Sequence, residues 1–308
     1  MQKTLKIVAI FIVMAFISQF DYAQLPIVWQ KSYGGSMFEN AKSVVQTKDG
    51  GYIIAGYSTS KDDDVKPMPK NDPNHGGTDA WIVKIDPNGT IEWQKCYGGS
   101  KDDIIVSIKE TSDNGYIMAG TSESNDGDVT AMPNDIGNHG RKDFWVVKLD
   151  NTGKLGHAPG IEWQKSFGGS DDDEASCIQQ TKDGGYIVAG YARKNDGDVT
   201  GNHNGGAEDA WVIKLNSNGG KEWAKCYGAI LNERAAYIQQ TSSDEGYIVC
   251  GRTETAFDDG DVSGNHGKPG LIDCWVIKLK PNGDKEWAKC YGGTGGEMGH
   301  SIIEAKGG

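Results

Sequence analysis

The stretch DAWVIKLNSNGGKEWAKCYG occupies residues 209–228, and a near copy, DCWVIKLKPNGDKEWAKCYG, occupies residues 273–292. Internal repetition is the first thing to settle in such a chain, because a missed repeat yields a wrong fold. The second half of the phrase returns around Trp29, Trp93, Trp163, Trp223 and Trp287, at separations of 64, 70, 60 and 64 residues. Repeats therefore account for nearly the whole chain.

One unit resolves into four strand signals. In the third unit these are Ala175–Thr181, Tyr186–Tyr191, Ala210–Leu215 and Glu222–Tyr227, here called strands a, b, c and d. Lys182-Asp183-Gly184-Gly185 and Asn216-Ser217-Asn218-Gly219 supply hairpin turns whose glycines accept positive φ, and a long polar loop joins b to c. Each unit thus reads as a four-stranded antiparallel meander. Tyr186 and Val188 oppose Ile187 and Ala189, and Trp211, Ile213 and Leu215 oppose Ala210 and Val212, so both faces are apolar. Such a sheet needs a neighbour on each side. The expected fold is all-β, a β-propeller of four-stranded antiparallel blades with about four complete repeats and a partial one; an open stack or a β-solenoid is the competing arrangement. The repeat domain is placed at 24–308, with units of 28–90, 91–160, 161–220, 221–284 and a partial 285–308. The closing unit has a strand d at its start and a strand a at its end, which reads as truncation at the C-terminus or imperfect ring closure.

Residues 1–23 are of another kind. Lys3 and Lys6 precede the apolar run Ile7–Ile17 and a small residue, Ala23, the pattern of an export signal and too short for a membrane anchor. The net charge of −12 argues against nucleic acid or anionic lipid as partner.

The segment TKDGGYIVAGYARKNDGDVTGNHNGGAEDAWVIKLNSNGGKEWAKCYG, residues 181–228, resembles the repeat of secreted bacterial β-propeller proteins associated with type IX secretion, most of unassigned function. The DGGYIVAG, DGDV, GNHG and WVIKL segments recur in order from Trp29 onward. The resemblance implies a secreted or cell-surface location and, through the names of some relatives, polysaccharide hydrolysis. The sorting domain usual for that route is missing, and a further domain downstream is expected. A shorter likeness to quinoprotein propellers lacks their adjacent cysteine pair.

Catalysis needs one asymmetric constellation, so a feature repeated in every unit reads as scaffold or multivalent binder. All nine tryptophans sit at repeat positions; Trp81, Trp145, Trp211 and Trp275 in strand c and Trp93, Trp163, Trp223 and Trp287 in strand d read as contacts between blades. No tryptophan is left over as a platform for a sugar, though Tyr57, Tyr191 or loop Phe257 could serve. The acids Asp102-Asp103 and Asp171-Asp172-Asp173 could form a glycosidase pair or a solvated turn. In the b–c loops, Asp126 and Asp128, Asp196 and Asp198, and Asp259 and Asp261 offer oxygen ligands suited to calcium, or cap backbone amides instead. The lengthened loops with Met68 and Met132 and the unique insertion with His157 are the expected recognition surface. Cys250 and Cys274 replace alanines in adjacent strands, as a cross-strand disulfide or as two buried thiols. The leading functional expectation is a non-catalytic surface scaffold that binds a protein or glycan through the b–c loops. The alternative is a polysaccharide-active enzyme, endoglucanase-like, or its accessory module.

Overall fold

The structure is a computed structural model and describes residues 27–65, 75–129, 137–153, 158–203, 207–255, 258–266 and 271–305. The expected export signal lies outside them. Contacts divide the chain into residues 1–30 and 31–308, and every described strand belongs to the second part.

The turns and alternating apolar residues form sixteen strands in four antiparallel sheets. The first sheet holds β1 (Glu39–Gln46), β2 (Tyr52–Ser58), β3 (Asp79–Ile85) and β4 (Ile91–Tyr97); the second holds β5 (Asp103–Glu110), β6 (Tyr116–Ser122), β7 (Asp143–Leu149) and β8 (Ile161–Phe167). The third holds β9 (Glu174–Gln180), β10 (Tyr186–Ala192), β11 (Asp209–Leu215) and β12 (Lys221–Tyr227); the fourth holds β13 (Glu233–Gln240), β14 (Tyr247–Thr253), β15 (Asp273–Leu279) and β16 (Lys285–Tyr291). Every sheet pairs in chain order as a meander, and the only helical elements among the described residues are two short 3-10 turns.

The apolar faces meet at three junctions between successive sheets, while the outer faces of the first and fourth sheets meet no further sheet among the described residues. Ile53, Ala55, Ala80 and Ile82 of the first sheet meet Ile105, Ile108, Met118, Trp145 and Val147 of the second. Ile117, Ala119, Phe144 and Val146 meet Ile178, Val188, Trp211 and Ile213, and Ile187, Ala189, Ala210 and Val212 meet Ile238, Val249, Trp275 and Ile277. The tryptophans of β7, β11 and β15 thus enter the junction with the preceding sheet. The strand-d tryptophan faces the following one, edge-on to its first strand-b tyrosine: Trp93 to Tyr116 at 5.9 Å, Trp163 to Tyr186 at 5.6 Å and Trp223 to Tyr247 at 5.9 Å.

First strands of successive sheets approach one another, β1 with β5, β5 with β9 and β9 with β13, while among the described residues the fourth strands make no comparable approach. Ser43 and Ser107 accept hydrogen bonds from the Ile108 and Ile178 amides of the next first strand, both at 3.3 Å. Each first strand carries a bulge, at Lys42, Val106, Ser176 and Ala236. Opposite it strand b has glycine, and a Cβ on Gly251 would lie 1.8 Å from the Arg234 carbonyl oxygen. This explains the fixed glycine of YIVAG.

Residues 297–305 join no ladder among the described residues, yet they hold the place of a next first strand. The Glu297 amide donates to the Ile272 carbonyl at 2.8 Å, as Asp103, Asp173 and Glu233 donate to Thr78, Lys142 and Glu208. Ile302 rests on Ile248, Cys250 and Val276 of the fourth sheet. No helix among the described residues is long and apolar enough to cross a membrane.

Candidate functional site

A polar skeleton recurs in all four sheets. The first residue of each strand c, Asp79, Asp143, Asp209 or Asp273, is fully buried. One oxygen accepts the amide of His75, His139, His203 or His266, and the other has no hydrogen-bond partner among the described residues. A second acid from the next first strand stands beside it: Asp103 takes the Gly99 amide at 2.7 Å and Asp173 the Gly169 amide at 2.7 Å. Burial, with the neighbouring Asp103, pushes Asp79 up to about 6 although the His75 amide opposes this. Burial, with Asp143 nearby, pushes Asp173 up to about 7.

The strand-c lysine is the second recurring element. Lys84, Lys148, Lys214 and Lys278 are buried and reach the a–b turn acids Asp49, Asp113, Asp183 and Asp244 at 2.7–2.9 Å. Burial alone would raise Asp49, but hydrogen bonds from Thr47, Lys84 and the Gly51 amide hold it at about 2. Asp113, Asp183 and Asp244 are held at about 2 in the same setting.

The acids expected to bind calcium are spent on this skeleton. Asp126 and Asp196 accept the Ser100 and Ser170 amides at 2.7 and 2.8 Å, and Asp128 and Asp261 lie against the Gly98 and Gly228 amides at 3.4 and 3.3 Å. Asp198 is paired with Lys221 and approached by His139 Nε2 at 3.7 Å; Asp261 is paired with Lys285 at 2.6 Å and approached by His203 Nε2 at 3.7 Å. The backbone of Asp259 closes the fourth loop by bonding with Val262. Amide hydrogens and cationic side chains thus engage five of these six carboxylates, as the capping alternative expects, and the described residues contain no group of three or more His, Cys, Asp or Glu that could hold a metal ion. Gly127, Gly197 and Gly260 hold the turn at φ 54–60, with Asp63 at 49 in the degenerate first copy.

Cys250 and Cys274 are free thiols. The register sets Cys250 opposite Val276 and Cys274 opposite Arg252, so the two are diagonal rather than facing. Met68, Met132, His157 and Phe257 lie outside the described residues.

What breaks the repeat is a set of side chains around the bulges, where strands b lead into the b–c loops. The pair facing across strands a and b differs in every sheet: Asn40 and Tyr57, Ile104 and Thr121, Glu174 and Tyr191, Arg234 and Arg252. A cleft of about 270 Å³ there has Ile104, Val106 and Ala175 as an apolar floor, with Lys42, Tyr57 and Glu123 among its rim groups. Lys42 stands 5.7 Å from the Tyr57 ring centroid, and Lys142 pairs with Glu174 at 3.2 Å. At the next junction Arg234 stacks 4.1 Å from the Tyr191 ring centroid while Glu208 pairs with both Arg193 and Arg234. Tyr57 and Tyr191 were legible as platforms; the charges around them were not, because they come together only through the register at the bulges.

Asp103 and Asp173, the acids considered for glycosidic chemistry, belong to the recurring skeleton, whereas Asp102 lies at the edge of the unrepeated cleft. In comparisons with known proteins, no family model matches the chain and no curated protein is significantly similar to it.

Proposed function

We propose that the four sheets are blades of a β-propeller in an exported or cell-surface protein whose role is non-catalytic binding of a protein or glycan partner. The wedge-like approach of the first strands supports the propeller reading, since blades converge on an axis with their first strands. The export-like residues 1–23 and the likeness to type IX-associated secreted repeats support the location.

The observation that carries the binding role is the cleft at the bulges, where tyrosine, lysine and carboxylates replace the repeated pattern over an apolar floor. Such a surface suits a ligand with one apolar face and several hydroxyls. The polysaccharide-active alternative needs an acid pair peculiar to one place, and the buried acids recur in each sheet. A glycan array combined with a reducing-end assay tests this. The proposal expects retention of a glycan or protein ligand without cleavage; release of reducing ends, abolished by removing one acid of the cleft, would establish the enzyme instead.

A further inference from the structure

The fourth sheet contains a charge arrangement found in none of the other three. Arg234 and Arg252 face each other across β13 and β14, at the position held by Asn40 and Tyr57, Ile104 and Thr121, and Glu174 and Tyr191. Like charges directly opposite on neighbouring strands repel. Glu208 answers Arg234, which is pinned further against the Tyr191 ring. Arg252 has no equivalent answer. Among the described residues, Glu254 stands 3.8 Å from one terminal nitrogen, the other terminal nitrogen meets the Met298 sulfur at 3.9 Å, and Nε is buried without a hydrogen-bond partner. The buried Nε is out of a ligand's reach, but the two terminal nitrogens, held among the described residues only by these long contacts, can take an acceptor that arrives from outside.

Arg252 lines a cleft of about 180 Å³ together with Arg234, Ser176 and His300, walled by Ala235, Ala236 and Met298. No carboxylate among the described residues lines it, in a chain of net charge −12. From this geometry we infer that the cleft is a subsite for a carboxylate carried on a small body with an apolar face, namely one uronic acid unit of an acidic polysaccharide. The guanidinium offers a planar fork for the carboxylate, Ser176 and His300 offer partners for ring hydroxyls, and the small wall residues accept the C–H face of the sugar. The volume suits a single ring rather than an extended peptide. This inference rests on the binding role proposed above and assigns it an acidic ligand.

The test is calorimetry of the full protein with a trigalacturonate, a neutral galactose trimer, a hexaglutamate peptide and inorganic sulfate. The trigalacturonate is expected to bind at least tenfold more tightly than each of the others, with affinity falling as salt rises. Arg252→Gln should lose at least tenfold of that affinity with an unchanged or raised melting temperature, and Arg252→Lys, which keeps the charge without the fork, should fall between. Equal binding of the neutral trimer, of sulfate or of the peptide, no trigalacturonate binding, or full affinity in Arg252→Gln would each overturn the inference. Retention of neutral glycans on an array by a wild-type protein that does not bind trigalacturonate would show that the binding role stands while this subsite fails.

Discussion

The third and fourth sheets end in almost the same words, KEWAKCYG at 221–228 and at 285–292, yet their surroundings differ. Tyr227 is 3% exposed and donates its hydroxyl to the Gly283 carbonyl of the following sheet, whereas Tyr291 is 52% exposed. Trp223 lies edge-on to Tyr247, and Trp287 is 37% exposed. Identical sequence with different burial means that the apolar side of a sheet is closed by its neighbour and not by the sheet itself. On their other faces the two sheets are alike: Trp211 and Trp275 are each almost wholly buried against the preceding sheet.

That contrast ranks the expected effects. Trp211→Ala and Trp275→Ala should each cost about 3–5 kcal/mol in chemical denaturation, because both enter a closed junction. A much smaller cost at Trp275 would break the equivalence of the two front faces.

The pH response should be bell-shaped. Asp79 and Asp173, raised to about 6 and about 7 by burial and neighbouring carboxylates, add stability that is complete below the ordinary aspartate range and lost as pH rises through 6–7. Asp49, Asp113, Asp183 and Asp244, held at about 2, add stability that is complete above the ordinary range and lost as pH falls towards 2. Thermal melts should therefore be highest near pH 4 and several degrees lower at pH 2.5 and pH 8, each kcal/mol being worth roughly 2–4 °C. Melts that rise steadily from pH 5 to pH 8 would contradict the buried acid pairs.

A smaller gain is available inside the junctions. Trp81 and Trp145 donate their indole N–H to the diagonally placed Gln94 and Gln164 at 2.8 and 2.6 Å, while the same diagonal position holds Ala224 beside Trp211 and Ala288 beside Trp275, whose indoles have no acceptor among the described residues. Ala224→Gln should stabilise the protein by about 1 kcal/mol by supplying one. Smallest of all is the effect of a chelator: excess EDTA should leave the melting temperature unchanged, and a fall of more than about 2 °C, near 1 kcal/mol of stability, would restore a metal to the Asp-Gly-Asp loops.

Much of this was legible in the residues. Spacing of the tryptophans, the hairpin turns and the doubly apolar strands lead to four-stranded sheets that cover one another. The buried charges were missed, although the signal was present: an aspartate and a lysine recurring at fixed places inside WVIKL-type strands. Alternation of apolar residues says which face a side chain takes but not whether a turn acid reaches back to it, as Asp49 reaches Lys84. The unrepeated cleft was hidden for a different reason. Which residues oppose each other next to a bulge depends on a one-residue register shift, so the facing of Arg234 and Arg252 emerges only with the strands paired.

The most direct test of mutual shielding compares one substitution at two copies of one phrase. Tyr227→Ala and Tyr291→Ala alter the same residue in the same octapeptide, and unfolding free energies of the two variants isolate what the next sheet contributes. Loss of about 3–5 kcal/mol for Tyr227→Ala against less than about 1 kcal/mol for Tyr291→Ala is the predicted result. Equal losses at the two positions would contradict it, since each sheet would then be closing its own apolar side.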